Sequence, residues 1–151
     1  MSNAVARAEL LIRRPPKEVF DSFVEPNIIE RFWLKSTSGP LAKGAIVKWE
    51  FMVRGAHETV TVTELSANQV IAFTWSDGIA VNIKFHPRDD GTKVSVSATG
   101  FNGSGVTAQA VDATEGFTIV LCDLKSLLET GQSGNMVRDK AALISADRAD
   151  A

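Results

Sequence analysis

Five segments between residues 47 and 99 alternate apolar and polar side chains, and this alternation constrains the fold more than any other feature. A period of two is typical of half-buried β-strands. The connections between the segments are too short for a parallel crossover, so the strands must be mostly antiparallel. We therefore predict a meander with one large apolar face and one small, polar, hydroxylated face. The predicted strands cover residues 47–53, 59–63, 71–75, 81–86 and 94–99.

A further strand and two short helices are predicted before the meander. Residues 5–12 are predicted to form the first strand, which the two following prolines end. The second of these prolines suits the first turn of a helix over residues 16–24. A second short helix is predicted over residues 27–32. Residues 36–44 are rich in serine and glycine and are predicted to form a loop, which leaves six strands in total.

The segment Val106–Thr130 contains no proline, has apolar side chains at helical spacing and is predicted to form a long amphipathic helix. It is the element long enough to cover the apolar face of the sheet. The predicted fold class is α+β, with a curved six-stranded antiparallel sheet wrapped around a long C-terminal helix. Residues 1–151 form one domain with a core over about residues 5–131. The tail, residues 132–151, is predicted to be either a short docked helix or a frayed end.

The first half of the long helix has small side chains, such as Ala113 and Gly116, where large ones would be needed to fill the space above the sheet. The opposing strands carry rigid aromatic rings, so we predict an internal pocket. The alternative is a solid core in which residues 32–34 fill the gap. The predicted ligand-contacting residues are Trp33, Trp49, Phe51, Phe73, Trp75, Phe85, Ala113, Phe117 and Val120.

Charge and cysteine content exclude several functional classes. The 16 Lys and Arg residues against 18 Asp and Glu residues give a net charge of −2, which provides no basic surface for nucleic acid or an anionic membrane. Cys122 is the only cysteine and has no partner for a disulfide within the chain. No apolar run reaches the roughly 18 residues of a membrane span, and the start lacks the pattern of a signal peptide. We therefore expect a cytoplasmic protein.

Few residues are candidates for catalysis. Residues 103–108 match the pattern G-x-G-x-x-A, but no parallel strand follows them, so a dinucleotide site is not predicted. Neither His57 nor His86 has a Cys, Asp or Glu residue at the spacing of a zinc site, so no metal is predicted, and no cofactor is predicted either. His57 is either a general base at the mouth of the pocket or an ordinary solvated residue. Glu115 either complements the helix dipole or reaches into the pocket as a polar anchor.

Several motifs along the chain are shared with a known family. Residues 15–26 resemble P-P-x-x-V-F-x-A-[FL]-T-x-P, and residues 30–33 resemble a motif with R-W-W. Residues 70–75 end in F-T-W, and residues 115–128 resemble G-W-x-x-x-L-x-x-L-x-x-x-L. Residues 91–94 match G-G-T-x-[LV] in all but the first glycine, and residues 135–139 are similar to a tail found in some members. Together they resemble the START-like or SRPBCC superfamily, and within it the branch named for the activator of the ninety-kilodalton heat-shock-protein ATPase.

This resemblance implies a helix-grip fold with a hydrophobic cavity between the sheet and the long helix. Members of the superfamily bind lipids, hormones or polyketides, act as cyclases, or assist the chaperone. The resemblance implies no set of catalytic residues for this chain. Phe32 and Phe117 stand where the family's motifs have tryptophan, so two indole N–H groups are lost.

Three functional hypotheses follow. The first is the binding of a small, mostly hydrophobic molecule in the cavity. The second is a cyclase-like or hydrolytic enzyme that uses His57 or Glu115 as an acid or base in the same cavity. The third is a chaperone-associated interaction domain, with a homodimer contact as a further partner. The polar sheet face that would serve this third function lies around Lys48, Glu50, Thr61 and Lys84.

Overall fold

One antiparallel sheet of seven strands forms the framework of the protein, and the computed structural model describes residues 3–150. The strands follow the spatial order β1-β7-β6-β5-β4-β3-β2. The strands are β1 (Ala6–Ile12), β2 (Leu34–Thr37), β3 (Ile46–Phe51), β4 (His57–Ser66), β5 (Val70–Thr74), β6 (Ala80–Arg88) and β7 (Gly91–Thr99). The helices are α1 (Pro16–Val24), α2 (Pro26–Ile29), α3 (Val106–Thr130) and α4 (Met136–Asp150). This α+β arrangement is consistent with the helix-grip fold.

The prediction of six strands is wrong because β2 lies partly in the segment predicted as a loop. β2 has only four residues, too few to show an alternating pattern, and its serine and threonine are also common in loops. Pairing with β3 holds it at the edge of the sheet, with a register shift between Leu34 and Ser36. The helix α2 also ends earlier than predicted. The amides of Arg31 and Phe32 bond to carbonyls three residues back, which is tighter than an α-helix.

The long helix α3 has the predicted bounds, Val106–Thr130, and packs along β1. Its C-terminal half buries Leu121, Leu124 and Leu127 in the core. A polar contact fastens the same half to β1, where Lys125 Nζ donates to the carbonyl of Leu11 at 2.7 Å. Within α3 the same ammonium group donates to the carboxylate of Glu129 at 2.7 Å. The hydrogen bond from Lys125 holds the pKa of Glu129 below its usual value. This end of the helix is therefore closely packed.

A buried carboxylate fastens α4 to α3. Asp123 is only 1% exposed, and its Oδ1 accepts hydrogen bonds from Ser133 Oγ at 2.6 Å and from the amide of Gly134 at 3.1 Å. Its Oδ2 accepts from the amide of Val137 at 3.1 Å, in the first turn of α4. A negative charge is favourable there, because the first amides of a helix have no partner within it. The tail is thus a helix docked on α3. No helix within residues 3–150 is both long and apolar enough to cross a membrane.

Candidate functional site

A cavity of about 300 Å³ lies between α3, α4 and the end of the sheet that carries the β3–β4 and β5–β6 turns, and it is partly open to solvent. Side chains at that end of the sheet and beside it form the first wall: Trp33, Phe51, Met52, Val53, Ala56 and Trp75. The second wall is the N-terminal half and middle of α3: Ala113, Gly116, Phe117, Ile119 and Val120. The third wall is one face of α4: Val137, Lys140, Ala141, Ile144 and Arg148.

Six of the nine predicted ligand-contacting residues line this cavity: Trp33, Phe51, Trp75, Ala113, Phe117 and Val120. The other three are deeply buried in the core. Trp49 and Phe73 lie behind the wall, where the Trp49 ring is 5.0 Å from that of Trp33 and 5.2 Å from that of Phe73. Phe85 contacts α1 instead, with its ring 5.4 Å from that of Phe20. The alternation therefore places all three on the inner face of the sheet, but the cavity lies beneath only one part of that face.

Aromatic rings connect the sheet to α3 across the cavity wall. The rings of Trp75 and Phe117 are stacked, with centroids 6.2 Å apart and an interplanar angle of 20°. Phe51 meets Trp75 edge to face at 6.2 Å, and Trp33 meets Phe117 edge to face at 6.3 Å. These planar side chains have few rotamers with which to fill the space. The rings therefore hold the two walls apart.

One polar atom in this wall has no partner. The Nε1 of Trp75 is buried and makes no hydrogen bond to any described residue. A buried donor without an acceptor costs roughly 1–3 kcal/mol, and such groups are uncommon in native proteins. This wall is therefore not optimised for stability alone.

Gly116 leaves open space in the middle of the α3 wall. No heavy atom lies within 4 Å of the position that a Cβ would occupy, and the backbone there is helical. A glycine inside a helix costs roughly 0.5–1 kcal/mol relative to alanine. The helix α3 is thus less stable than it would be with alanine at this position, where it lines the cavity.

We expect Gly116→Ala to raise the free energy of unfolding by about 0.5–1 kcal/mol, because the methyl group meets no atom and the unfolded chain loses freedom. Chemical denaturation measures this change. Gly131→Ala is the matched control: Gly131 also has no neighbour within 4 Å, but its φ of +83° is strained for alanine, so this variant should be less stable than the native chain. If Gly116→Ala instead lowers the free energy of unfolding, other atoms already fill the space beside Gly116.

The helix α4 spans the cavity from α3 to the β3–β4 turn. On one side Lys140 Nζ lies 2.9 Å from Glu115 Oε1 of α3. On the other side Ser145 Oγ accepts a hydrogen bond from the amide of Arg54 at 3.3 Å. Sequence reasoning missed this wall and treated it as a tail. The available signal was the spacing of Val137, Ala141 and Ile144, which places three apolar side chains on one helical face.

The two candidate acid–base residues lie outside the cavity. His57 is exposed at the start of β4, and its Nδ1 is 3.1 Å from the carbonyl oxygen of Gly55. The side chain of Glu115 is 55% exposed and forms the ion pair with Lys140. Its hydrogen bond raises the pKa of Lys140 above the usual value. The structure does not bring His57 and Glu115 together. It gives Glu115 a structural contact between α3 and α4.

The polar outer face of the sheet carries a depression of about 520 Å³ that is lined mostly by polar and charged side chains, among them Glu50 and His57. Lys48 and Lys84 are exposed, and Thr61 is half-buried. The carboxylate of Glu50 accepts a hydrogen bond from Ser36 Oγ at 3.0 Å, which ties β2 to β3. Among residues 3–150, no group of three or more His, Cys, Asp or Glu side chains is placed to hold a metal ion. The cavity behind α4 differs from this depression in having almost entirely apolar walls, as most ligand pockets do.

Comparisons with known proteins agree with this fold. Residues 13–129 match the sequence model of a family described as "Activator of Hsp90 ATPase homolog 1-like protein". The chain is similar in structure to protein SSP2350 from Staphylococcus saprophyticus, with 28% identity and a TM-score of 0.76, over 85% of this chain and 94% of that one. A comparison with curated proteins gives no significant match.

Two more distant structures share the fold alone. The Aha1 dimer from Colwellia psychrerythraea is 17% identical with a TM-score of 0.76, over 88% of this chain and 100% of that one. DynU16, a protein of the dynemicin biosynthetic locus, is 18% identical with a TM-score of 0.78, over 87% of this chain. The match covers only 49% of DynU16, so this chain corresponds to about half of that protein.

Proposed function

Because the chain belongs to the family of Activator of Hsp90 ATPase homolog 1-like proteins and carries an apolar cavity, we propose that it binds a small, mostly apolar molecule between the sheet, α3 and α4. The observation that carries this proposal is the cavity itself. Its walls are held apart by aromatic rings and by a helix tied down on both sides. A core built only for stability would be close-packed at this place.

The volume limits the size of the bound molecule. A cavity of about 300 Å³ is at the lower end of the usual range for ligand pockets, roughly 300–1,000 Å³. At roughly 30 Å³ for each water molecule, the space holds on the order of ten non-hydrogen atoms. Contact with the walls contributes about 25 cal/mol per Å² of apolar surface, before the cost of ordering the molecule. A small apolar molecule would therefore bind with modest affinity.

The three tryptophans provide a direct test of this proposal. Trp33 and Trp75 line the cavity, whereas Trp49 lies behind its wall. We expect octan-1-ol to shift the indole N–H signals of Trp33 and Trp75 in a nitrogen-15 correlation spectrum more than that of Trp49. Saturation of these shifts gives the affinity. Equal small shifts of all three signals, or none, would indicate that the cavity does not bind apolar molecules of this size.

The two other hypotheses have less support. No cavity-lining residue is a carboxylate or histidine, so the enzymatic alternative has no acid or base at the site. Contact with a chaperone or with a second copy of the chain is supported only by the description of the family and by the dimer of the Colwellia protein. Ligand binding therefore remains our leading proposal.

A further inference from the structure

Every polar side chain on the cavity wall is a hydrogen-bond donor. Lys140 and Arg148 offer cationic donors and the indole of Trp33 offers an N–H group, whereas the N–H of Trp75 is buried within the wall. The wall has no carboxylate, amide or hydroxyl side chain, and the thioether of Met52 is only a weak acceptor. A molecule with a donor group would leave that group without a side-chain partner. A molecule with an acceptor group would find donors on this wall.

We propose that the bound molecule is an amphipathic carboxylate whose apolar part lies in the cavity and whose carboxylate binds Arg148 at the edge of α4. This inference rests on the proposed function, because it names the chemical class of the molecule that the same cavity binds. The argument combines the donor-only wall with the positions of the two cations.

Arg148, rather than Lys140, is the cation available to the carboxylate. The ammonium group of Lys140 is already 2.9 Å from Glu115, and Asp112 and Asp147 also act on it. Arg148 has no ion pair with the side chains of residues 3–148. A guanidinium can also hold a carboxylate by two parallel hydrogen bonds, a geometry that an ammonium lacks.

The face of α4 places this charge in line with the apolar wall. Val137, Ala141, Ile144 and Arg148 are spaced by four, three and four residues, so they lie along one side of the helix. A chain in contact with Ile144 would thus end near the guanidinium. Arg148 is exposed, so a carboxylate there keeps part of its hydration and avoids the large cost of burying a charge.

Octanoate, octan-1-ol and octylammonium have the size that the cavity allows and differ only in the head group. Titrations at low ionic strength, read from the indole signals of Trp33 and Trp75, compare the three. We expect octanoate to bind more tightly than octylammonium. Arg148→Met should weaken octanoate by about two- to fivefold, as for a solvent-exposed ion pair, and should affect octanoate more than octan-1-ol. Added salt should weaken octanoate alone.

Arg138→Met is the matched control. Arg138 lies on α4, is exposed and does not line the cavity, so its loss changes the net charge equally without affecting octanoate. This inference would be overturned if octanoate binding is unchanged by both Arg148→Met and salt, or if octylammonium binds as tightly as octanoate. In either case the proposed function would still stand if octan-1-ol binds. No binding of any of the three would overturn both. If Arg148→Met disturbs the fold of α4, the salt series on the native chain still tests the inference.

Discussion

Replacing Ala113 with tryptophan is expected to weaken octan-1-ol binding by more than about tenfold while the protein stays folded. Ala113 is half-buried on the α3 wall, beside the open space at Gly116. An indole at this position would occupy the volume that the ligand needs. The substitution should change stability little, because the new ring enters existing space and the helix propensities of the two residues differ by less than about 0.7 kcal/mol. Calorimetric titration and circular dichroism measure both properties.

Ala108→Trp is the control for this variant. Ala108 lies on the same helix, is exposed and does not line the cavity, so the same substitution there should leave the affinity unchanged. If Ala113→Trp is folded and binds octan-1-ol as tightly as the native chain, the molecule binds elsewhere.

Replacing Asp123 with alanine is expected to lower the free energy of unfolding by about 2–3 kcal/mol and to release α4. The carboxylate accepts three hydrogen bonds from the segment that begins α4, and the amides of Gly134 and Val137 lose their acceptor without it. Chemical denaturation measures the stability, and hydrogen exchange measures the protection of the α4 amides. Ligand affinity should fall as well, because α4 is one of the three cavity walls.

Two further variants separate the anchor from a general effect of charge. Asp123→Asn keeps one acceptor oxygen and should fall between the native chain and the alanine variant. Asp89→Ala removes the same charge from an exposed position between β6 and β7 and should leave α4 protected. Unchanged exchange of the α4 amides in Asp123→Ala would show that other contacts hold the helix.

The parts of the fold with a strong local pattern could be predicted from the sequence. α3 has the predicted bounds because its apolar spacing is regular and Gly131 ends it with a φ of +83°. β2 could not be predicted, because pairing with β3 holds its four residues in place and they carry no periodic signal of their own. The alternation of side chains along each strand indicates which of them face inward, but it does not indicate which of them line the cavity.

The third wall of the cavity depends on a contact that no local pattern contains. Asp123 interrupts the apolar face of α3, and nothing in the sequence distinguishes it from an ordinary exposed carboxylate. Its burial has meaning only once residues 133–137 are folded against it. The acid–base candidates illustrate the same limit, since the ion pair of Glu115 with Lys140 joins residues on two different helices. Tertiary contacts of this kind cannot be derived from spacing.

The attachment of α4 by a few polar contacts has a kinetic consequence. Asp123, the ion pair with Glu115 and the hydrogen bond to Ser145 can break while the sheet and α3 stay intact, because local opening needs less free energy than global unfolding. Since the cavity is already partly open to solvent, lifting of α4 widens an existing exit, and a bound molecule can leave without unfolding of the protein. Its residence time would shorten as α4 lifts more often, and two ligands of equal affinity would dissociate at different rates if one of them also holds α4 in place.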